Sequence, residues 1–364
     1  MAQDPELQTR PHMCSRRRRS STASAPSPDE SMLKRCRTNI ANKIVESRGT
    51  QQLGGTRFQR CRLQVTNFIS ECCGTMWAPL AQYHDSATCR TDEVGDNGVT
   101  VLEVKAPDAD DDRIILYFHG GAFVLWSPNT HRELLGRLSM ATRARVVAVN
   151  YRLAPKDPYP AALEDALAAW RWVKEQNPNV QVAVGGDSAG GNLAFALMLR
   201  LSQLGEQQPI AAFGFAPWLL LHPGHMEERR QRSGNSDNIK HAMWNRWAGN
   251  LAALYTHSHP SDDPLVSPVL ASVEMVSSFP PVLIHADQDE PLAEDAKDMA
   301  SLCRQAGVPV EVKLYSFRLS PAHVFQAFPR LYRAAAADSF EQVDKFLEEH
   351  WTVDRTSRSA HEEP

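Results

Sequence analysis

Gly186-Asp187-Ser188-Ala189-Gly190-Gly191 stands between the apolar run Val182–Val184 and the almost wholly apolar stretch Leu193–Leu201. The first run is short and rich in valine, as a buried strand is, while the second has the length and composition of a buried helix. A serine with glycine two positions away on either side, between strand and helix, marks a turn too tight for neighbouring Cβ atoms. Such a turn projects the serine at the N-terminus of the helix. There the helix dipole and unpaired N–H groups favour developing negative charge. Ser188 is the candidate nucleophile.

Outward from this turn the chain alternates between strands and helices. β-rich runs occur at Val99–Val104, Ile114–Phe118, Val146–Val149, Val182–Val184, Ile210–Phe215, Val282–His285 and Val310–Leu314. Between them lie helical stripes such as Tyr159, Leu163, Ala166, Leu167, Trp170 and Val173, and a last helix from Ala334 to His350 with Phe340, Val343 and Leu347 facing inward. This alternation predicts an α/β domain over residues 76–351, with a mostly parallel sheet covered on both faces. Residues 222–256 interrupt the rhythm with a polar, partly helical insertion that carries Trp244, Trp247 and Tyr255. A long insertion beside a site is expected to act as a lid.

The flanks read differently. Residues 1–27 are rich in Arg, Ser and Pro and are expected to be a disordered tail. Ser27-Pro28-Asp29-Glu30 then supplies a helix start. Two amphipathic stripes follow, Leu33, Cys36, Ile40 and Ile44, then Phe58, Cys61, Val65, Phe68 and Ile69. They make residues 28–75 a pair of N-terminal lid helices, whose pairing across two copies leaves a homodimer open. Residues 352–364 form a polar tail.

The second chemical signal is His119-Gly120-Gly121-Ala122-Phe123, directly after the strand Ile114–Phe118. A glycine-rich loop at the C-terminal end of a strand bares backbone N–H groups, as an oxyanion hole requires. A base for Ser188 must then come from one of 13 histidines. His323, after the strand Val310–Leu314 and before the last helix, stands where a neutral imidazole can take the serine proton. His285 reads as a strand residue of the core. For the acid, the loop His285-Ala286-Asp287-Gln288-Asp289-Glu290-Pro291 offers several carboxylates.

Composition narrows the function further. A net charge of −4 over 364 residues is too small to suggest a nucleic-acid partner. No apolar run reaches the ~20 residues of a membrane-spanning helix, so no stable membrane insertion is expected. Seven cysteines without paired spacing argue against a disulfide framework or a zinc site, and point to a reducing, cytoplasmic setting. No metal or organic cofactor is implied, and the partner expected is a small-molecule ester.

With both glycine motifs in view, the sequence resembles the hormone-sensitive-lipase family of α/β-hydrolases, which includes arylacetamide deacetylases and microbial and fungal esterases. Tyr151-Arg152-Leu153-Ala154-Pro155, continuing to Tyr159-Pro160-Ala161-Ala162-Leu163-Glu164-Asp165, is similar to a further family hallmark. Asp263-Pro264 with Ser267-Pro268 is similar to a segment flanking the family's site. The resemblance spans residues 99–350 and implies the α/β-hydrolase fold with an eight-stranded sheet. It implies acyl transfer through Ser188 and His323, with the oxyanion held by N–H groups of Gly120, Gly121, Ala122 and Ala189. Ala122 stands where the family has a third glycine, a tolerated change because the donor is backbone. Setting the family's acidic pattern on Pro291-Leu292 and Glu294-Asp295 makes Glu290 the triad acid, with Asp289 its rival, and leaves the other carboxylates of this loop as helix-start charges. His119 corresponds to a loop-bracing residue. Phe123, Trp126 and Trp218, with Trp244 and Trp247 of the lid, would wall a pocket for a hydrophobic, short-to-medium-chain ester. Amide or formamide hydrolysis, deacetylation of one metabolite, acyl transfer to an alcohol and a silent ligand-binding role are the alternatives.

Overall fold

The computed structural model describes residues 87–94, 98–176, 178–224, 227–228, 239–317 and 322–351. The expected N-terminal tail and lid helices, most of the 222–238 segment and the C-terminal tail lie outside the described residues. At the centre is an eight-stranded sheet in the order β1-β2-β4-β3-β5-β6-β7-β8. Its strands are β1 (Thr88–Val94), β2 (Val99–Lys105), β3 (Asp110–Phe118), β4 (Ala144–Asn150), β5 (Gln181–Asp187), β6 (Ala212–Phe215), β7 (Val282–Asp287) and β8 (Val310–Tyr315). β2 runs antiparallel to β1 and β4, and every pairing from β4 to β8 is parallel.

The central strands are buried on both sides, so their side chains divide between two cores. Ile114, Leu116, Phe118, Val182 and Val184 face one core, together with Leu163 and Trp170 of α2 (Ala161–Gln176), most of α3 (Ala189–Leu204), and Met299 and Cys303 of α5 (Ala293–Gln305). Ile115, Tyr117, Ala183 and Phe213 face the other, against Leu134 and Leu138 of α1 (Arg132–Thr142) and Phe340, Val343 and Leu347 of α6 (Arg333–Glu348). Fully burying a side chain of this size contributes about 1.5–3 kcal/mol, so the apolar stripe Phe340, Val343 and Leu347 is what docks α6. Within the insertion, α4 (Ile239–Thr256) packs its second half into the first core through Ala248, Leu251, Ala252, Leu254 and Tyr255.

Three elements carry weak sequence signals. β1 is Thr-Cys-Arg-Thr-Asp-Glu-Val, an edge strand whose outer positions are exposed, so polar residues satisfy it. α5 buries mainly small residues, Ala293, Ala296 and Ala300, and α1 sets Arg132, Glu133 and Arg137 among its leucines. Each blurs the helical period. Among the described residues, no helix is long and apolar enough to cross a membrane.

The parallel strands all end on one side, and the loops that leave β3, β5, β7 and β8 there carry the motifs of the sequence. Arg152, just beyond β4, fixes one of these loops to α2. Its backbone N–H donates to Asp165 Oδ2 at 2.7 Å, and its guanidinium donates to Asp165 Oδ1 at 2.7 and 2.9 Å. Asp165 is fully buried, so this pairing explains why Tyr151–Pro155 and Glu164-Asp165 belong to one hallmark. Ala154-Pro155 and Tyr159-Pro160 are cis peptides within it.

Candidate active site

Ser188 leaves β5 in a left-handed conformation, φ 52° and ψ −117°, and α3 begins at the next residue. The glycines on either side make this possible. A Cβ on Gly186 would lie 2.5 Å from the Gly190 backbone, and one on Gly190 would strike the carbonyls of Phe118 and His119. Elbow and glycine loop are therefore in direct contact. The loop itself turns at Gly121 (φ 116°), where a Cβ would run into the Leu125 carbonyl, and continues left-handed through Ala122 (φ 54°) and Phe123 (φ 63°). The Gly121 carbonyl accepts from Val124 and Leu125 N–H at 3.0 and 2.9 Å, which turns it away and fixes the loop's opposite edge.

His323 and Glu290 complete an unbroken line. Ser188 Oγ lies 3.1 Å from His323 Nε2, and His323 Nδ1 lies 2.7 Å from Glu290 Oε2. The other oxygen, Glu290 Oε1, accepts the Asp287 N–H at 3.0 Å. Glu290 is 3% exposed, whereas Asp289 is exposed and is held through its backbone, its N–H donating to Asp287 Oδ1 at 3.1 Å. The ring of His323 thus meets Glu290 and not its neighbour. Burial depresses the His323 pKa, but the Glu290 carboxylate more than offsets this, with a smaller push from Asp187, so the net displacement is upward.

The remaining histidines of the motifs lie elsewhere. His119 is fully buried, stacked on Tyr151 at 4.3 Å, with Nδ1 2.6 Å from the Gly120 carbonyl; burial, aided by His131, lowers its pKa to about 3 and keeps it neutral. His285 lies in the core beside Phe215, its Nδ1 2.8 Å from Ser339 Oγ of α6, and burial lowers it likewise to about 3.

The proposed pocket aromatics separate. Phe123 is fully buried, stacked on Tyr255 at 3.7 Å, and Trp218 is 1% exposed with its indole N–H donating to the Leu220 carbonyl at 2.9 Å. Both are core side chains. Trp126 is half-buried. The side chains of Trp244 and Trp247, on α4, lie outside the described residues, as do residues 318–321 before His323.

Asp287 and Asp295, read from the sequence as helix-start charges, are buried hydrogen-bond acceptors instead, and Asn192 had no reading in the sequence. Asp287 Oδ2 accepts the Ala322 N–H at 2.7 Å and so ties the end of β7 to the His323 loop. Asp295 is not merely a charge at the start of α5: its Oδ2 accepts N–H groups of Leu219 and Leu220 at 2.6 and 2.9 Å. Asn192 Nδ2, one turn into α3, donates to the Trp218 and Val266 carbonyls at 2.9 Å each. Val266 belongs to the Asp263–Pro268 segment, which therefore packs against the elbow helix. The available signal was position: polar residues in glycine turns or first helical turns, at the ends of buried strands, must find partners indoors.

A profile described as the alpha/beta hydrolase fold matches residues 115–327. An acetyl-hydrolase of Streptomyces hygroscopicus is 35% identical over 216 residues, 58% of this chain and 69% of that protein. The carboxylesterase/phospholipase LipF of Mycobacterium tuberculosis is 35% identical over 243 residues, 65% of this chain and 61% of that protein. Among solved structures, an esterase from the bacterial hormone-sensitive lipase family superposes with a TM-score of 0.69 at 28% identity, covering 90% of this chain and 100% of that one.

The chain belongs to the hormone-sensitive-lipase family of α/β-hydrolases.

Carboxyl-ester hydrolysis is the chemistry of its class, and the sheet, elbow and glycine loop of this hydrolase are the parts that the shared fold contributes. The profile begins within β3 and ends just past His323, so it encloses every residue of the hydrogen-bonded line.

Proposed function

We propose that this hydrolase cleaves hydrophobic carboxyl esters of short-to-medium acyl chain through an acyl-enzyme on Ser188. The observation that carries this reading is the line Ser188–His323–Glu290, with hydrogen-bond distances of 3.1 and 2.7 Å and the serine beside the glycine loop. His323 Nε2 takes the Ser188 proton as Oγ attacks the ester carbonyl, and returns it to the departing alcohol. Glu290 holds the imidazole with Nδ1–H toward itself and stabilises the imidazolium. The oxyanion lies against the N–H groups of Gly121, Ala122 and Ala189, with Gly120 setting the loop's path. Water, deprotonated by His323, then releases the acid.

Removal of an acetyl group is the second reading, supported by the 35% identical acetyl-hydrolase. A cytoplasmic setting is supported by the free thiols of Cys89 and Cys303. The small-molecule ester is the partner this site calls for. Hydrolysis of p-nitrophenyl esters from acetate to palmitate by wild type and Ser188→Ala tests the reading. Activity on short chains that vanishes in the variant supports it. Well-folded wild type that hydrolyses no ester in the series overturns it.

A further inference from the structure

Asp187, the residue before Ser188, is 1% exposed and directs its carboxylate to Tyr117 and His131. Tyr117 Oη–H donates to its Oδ1 at 2.8 Å, and His131 Nε2 stands 3.4 Å from its Oδ2. Gly120 rests directly on the same group, since a Cβ there would collide with Oδ2. His131 is fixed from behind, its Nδ1 2.9 Å from Thr130 Oγ1 and 3.3 Å from the Ser127 carbonyl. Three segments thus converge on one carboxylate: the end of β3 through Tyr117, the 3-10 turn Pro128–His131 that leads into α1, and the elbow itself.

A buried carboxylate costs several kcal/mol to desolvate and repays this only with well-placed partners. Burial pushes the Asp187 carboxyl upward, yet His131 and Tyr117 outweigh it and hold the group below its usual range, so it stays charged. Its hydrogen bonds go to Tyr117 and His131 rather than into the Ser188–His323–Glu290 line, which it reaches only through its charge, and a smaller apolar residue would fill the space at lower cost. What its position controls is the height of the glycine loop above Ser188, because the loop begins on top of it.

Resting on the acyl-transfer reading above, we propose that Asp187, clamped by His131 and Tyr117, is a positioning residue that sets the oxyanion loop for the tetrahedral intermediate. Its effect should fall on kcat rather than KM, because the loop donors meet charge that exists only as the transition state forms.

The test uses the full chain and p-nitrophenyl butyrate, with kcat, KM and thermal melting measured for wild type, His131→Phe, His131→Gln and Tyr117→Phe. Removing one oxyanion donor outright costs about 10²- to 10³-fold, so displacing the loop in His131→Phe is expected to lower kcat about 10- to 100-fold with KM within about twofold. His131→Gln keeps an N–H for Asp187 and should recover kcat to within about threefold of wild type; Tyr117→Phe, losing one neutral donor, should lose about three- to tenfold. Wild-type kcat in His131→Phe overturns the proposal, as does a loss that glutamine fails to restore in a folded protein. If His131→Phe does not fold, unchanged kcat in Tyr117→Phe overturns it instead. Failure of the acyl-transfer reading looks different: wild type itself would hydrolyse no ester and take no label on Ser188 from phenylmethylsulfonyl fluoride, and this proposal would fall with it.

Discussion

Two carboxylate–imidazole pairs flank the elbow, and they differ in nearly everything except their residue types. Glu290 and His323 meet at 2.7 Å, with the His323 side chain 31% exposed. Asp187 and His131 meet at 3.4 Å, each 1% exposed. Ser188 points toward the first pair and its chain neighbour Asp187 belongs to the second, because successive residues at a strand's end project to opposite faces. The exposed imidazole can exchange a proton with substrate and water. The enclosed one is held among Asp187, Ser127 and Thr130, away from solvent. Solvent access and line of sight to Ser188, rather than residue type, separate the two imidazoles.

The sharpest break in this comparison is Ser188→Ala, which leaves both pairs intact and removes the hydroxyl that the first of them faces. Ester hydrolysis should fall by about 10⁴-fold or more while the melting temperature stays near wild type. Glu290→Gln comes next. It keeps the shape but removes the charge that fixes the tautomer, and kcat should fall about 10²- to 10⁴-fold. The pH profile of its residual activity carries a sign of its own. His323 must be neutral to act as base, so activity falls as pH drops through its pKa. Glu290 raises that pKa, so in Glu290→Gln the acid limb should move to lower pH. A limb that moved upward, or stayed, would detach Glu290 from His323.

Arg152→Ala tests a carboxylate pair with a purely structural task. It leaves Asp165 buried with its principal partner gone, and denaturant titration should show a loss of about 3 kcal/mol. The folded fraction should retain near-normal kcat, in contrast to His131→Phe. Asp289→Asn should do least, within about twofold in kcat and in stability, because its carboxylate is exposed and does not meet His323. A loss as large as that of Glu290→Gln would make Asp289 the acid and reverse the assignment.

The sequence by itself determined the turn that carries Ser188. Glycine has no substitute at Gly186 and Gly190, where backbone meets backbone, and a serine between them on a strand–helix turn leaves few other tasks open. The hydrophobic periods of the central strands and of α2, α3 and α6 were legible because burial on both faces of a parallel sheet demands continuous apolar runs. β1, α1 and α5 were not, since an exposed edge and small or interrupted apolar faces satisfy the fold without writing a strong pattern. Only the tertiary structure sets Glu290 apart from Asp289. They are adjacent and both acidic, and the turn after β7 is what buries one beneath His323 while leaving the other in solvent. Only it paired Arg152 with Asp165, or brought Tyr117 and His131 onto Asp187 across 70 and 56 residues of chain. Partners that far apart leave no local period in the sequence; they are fixed when the sheet closes and a buried charge must be satisfied by whatever the fold has placed within reach.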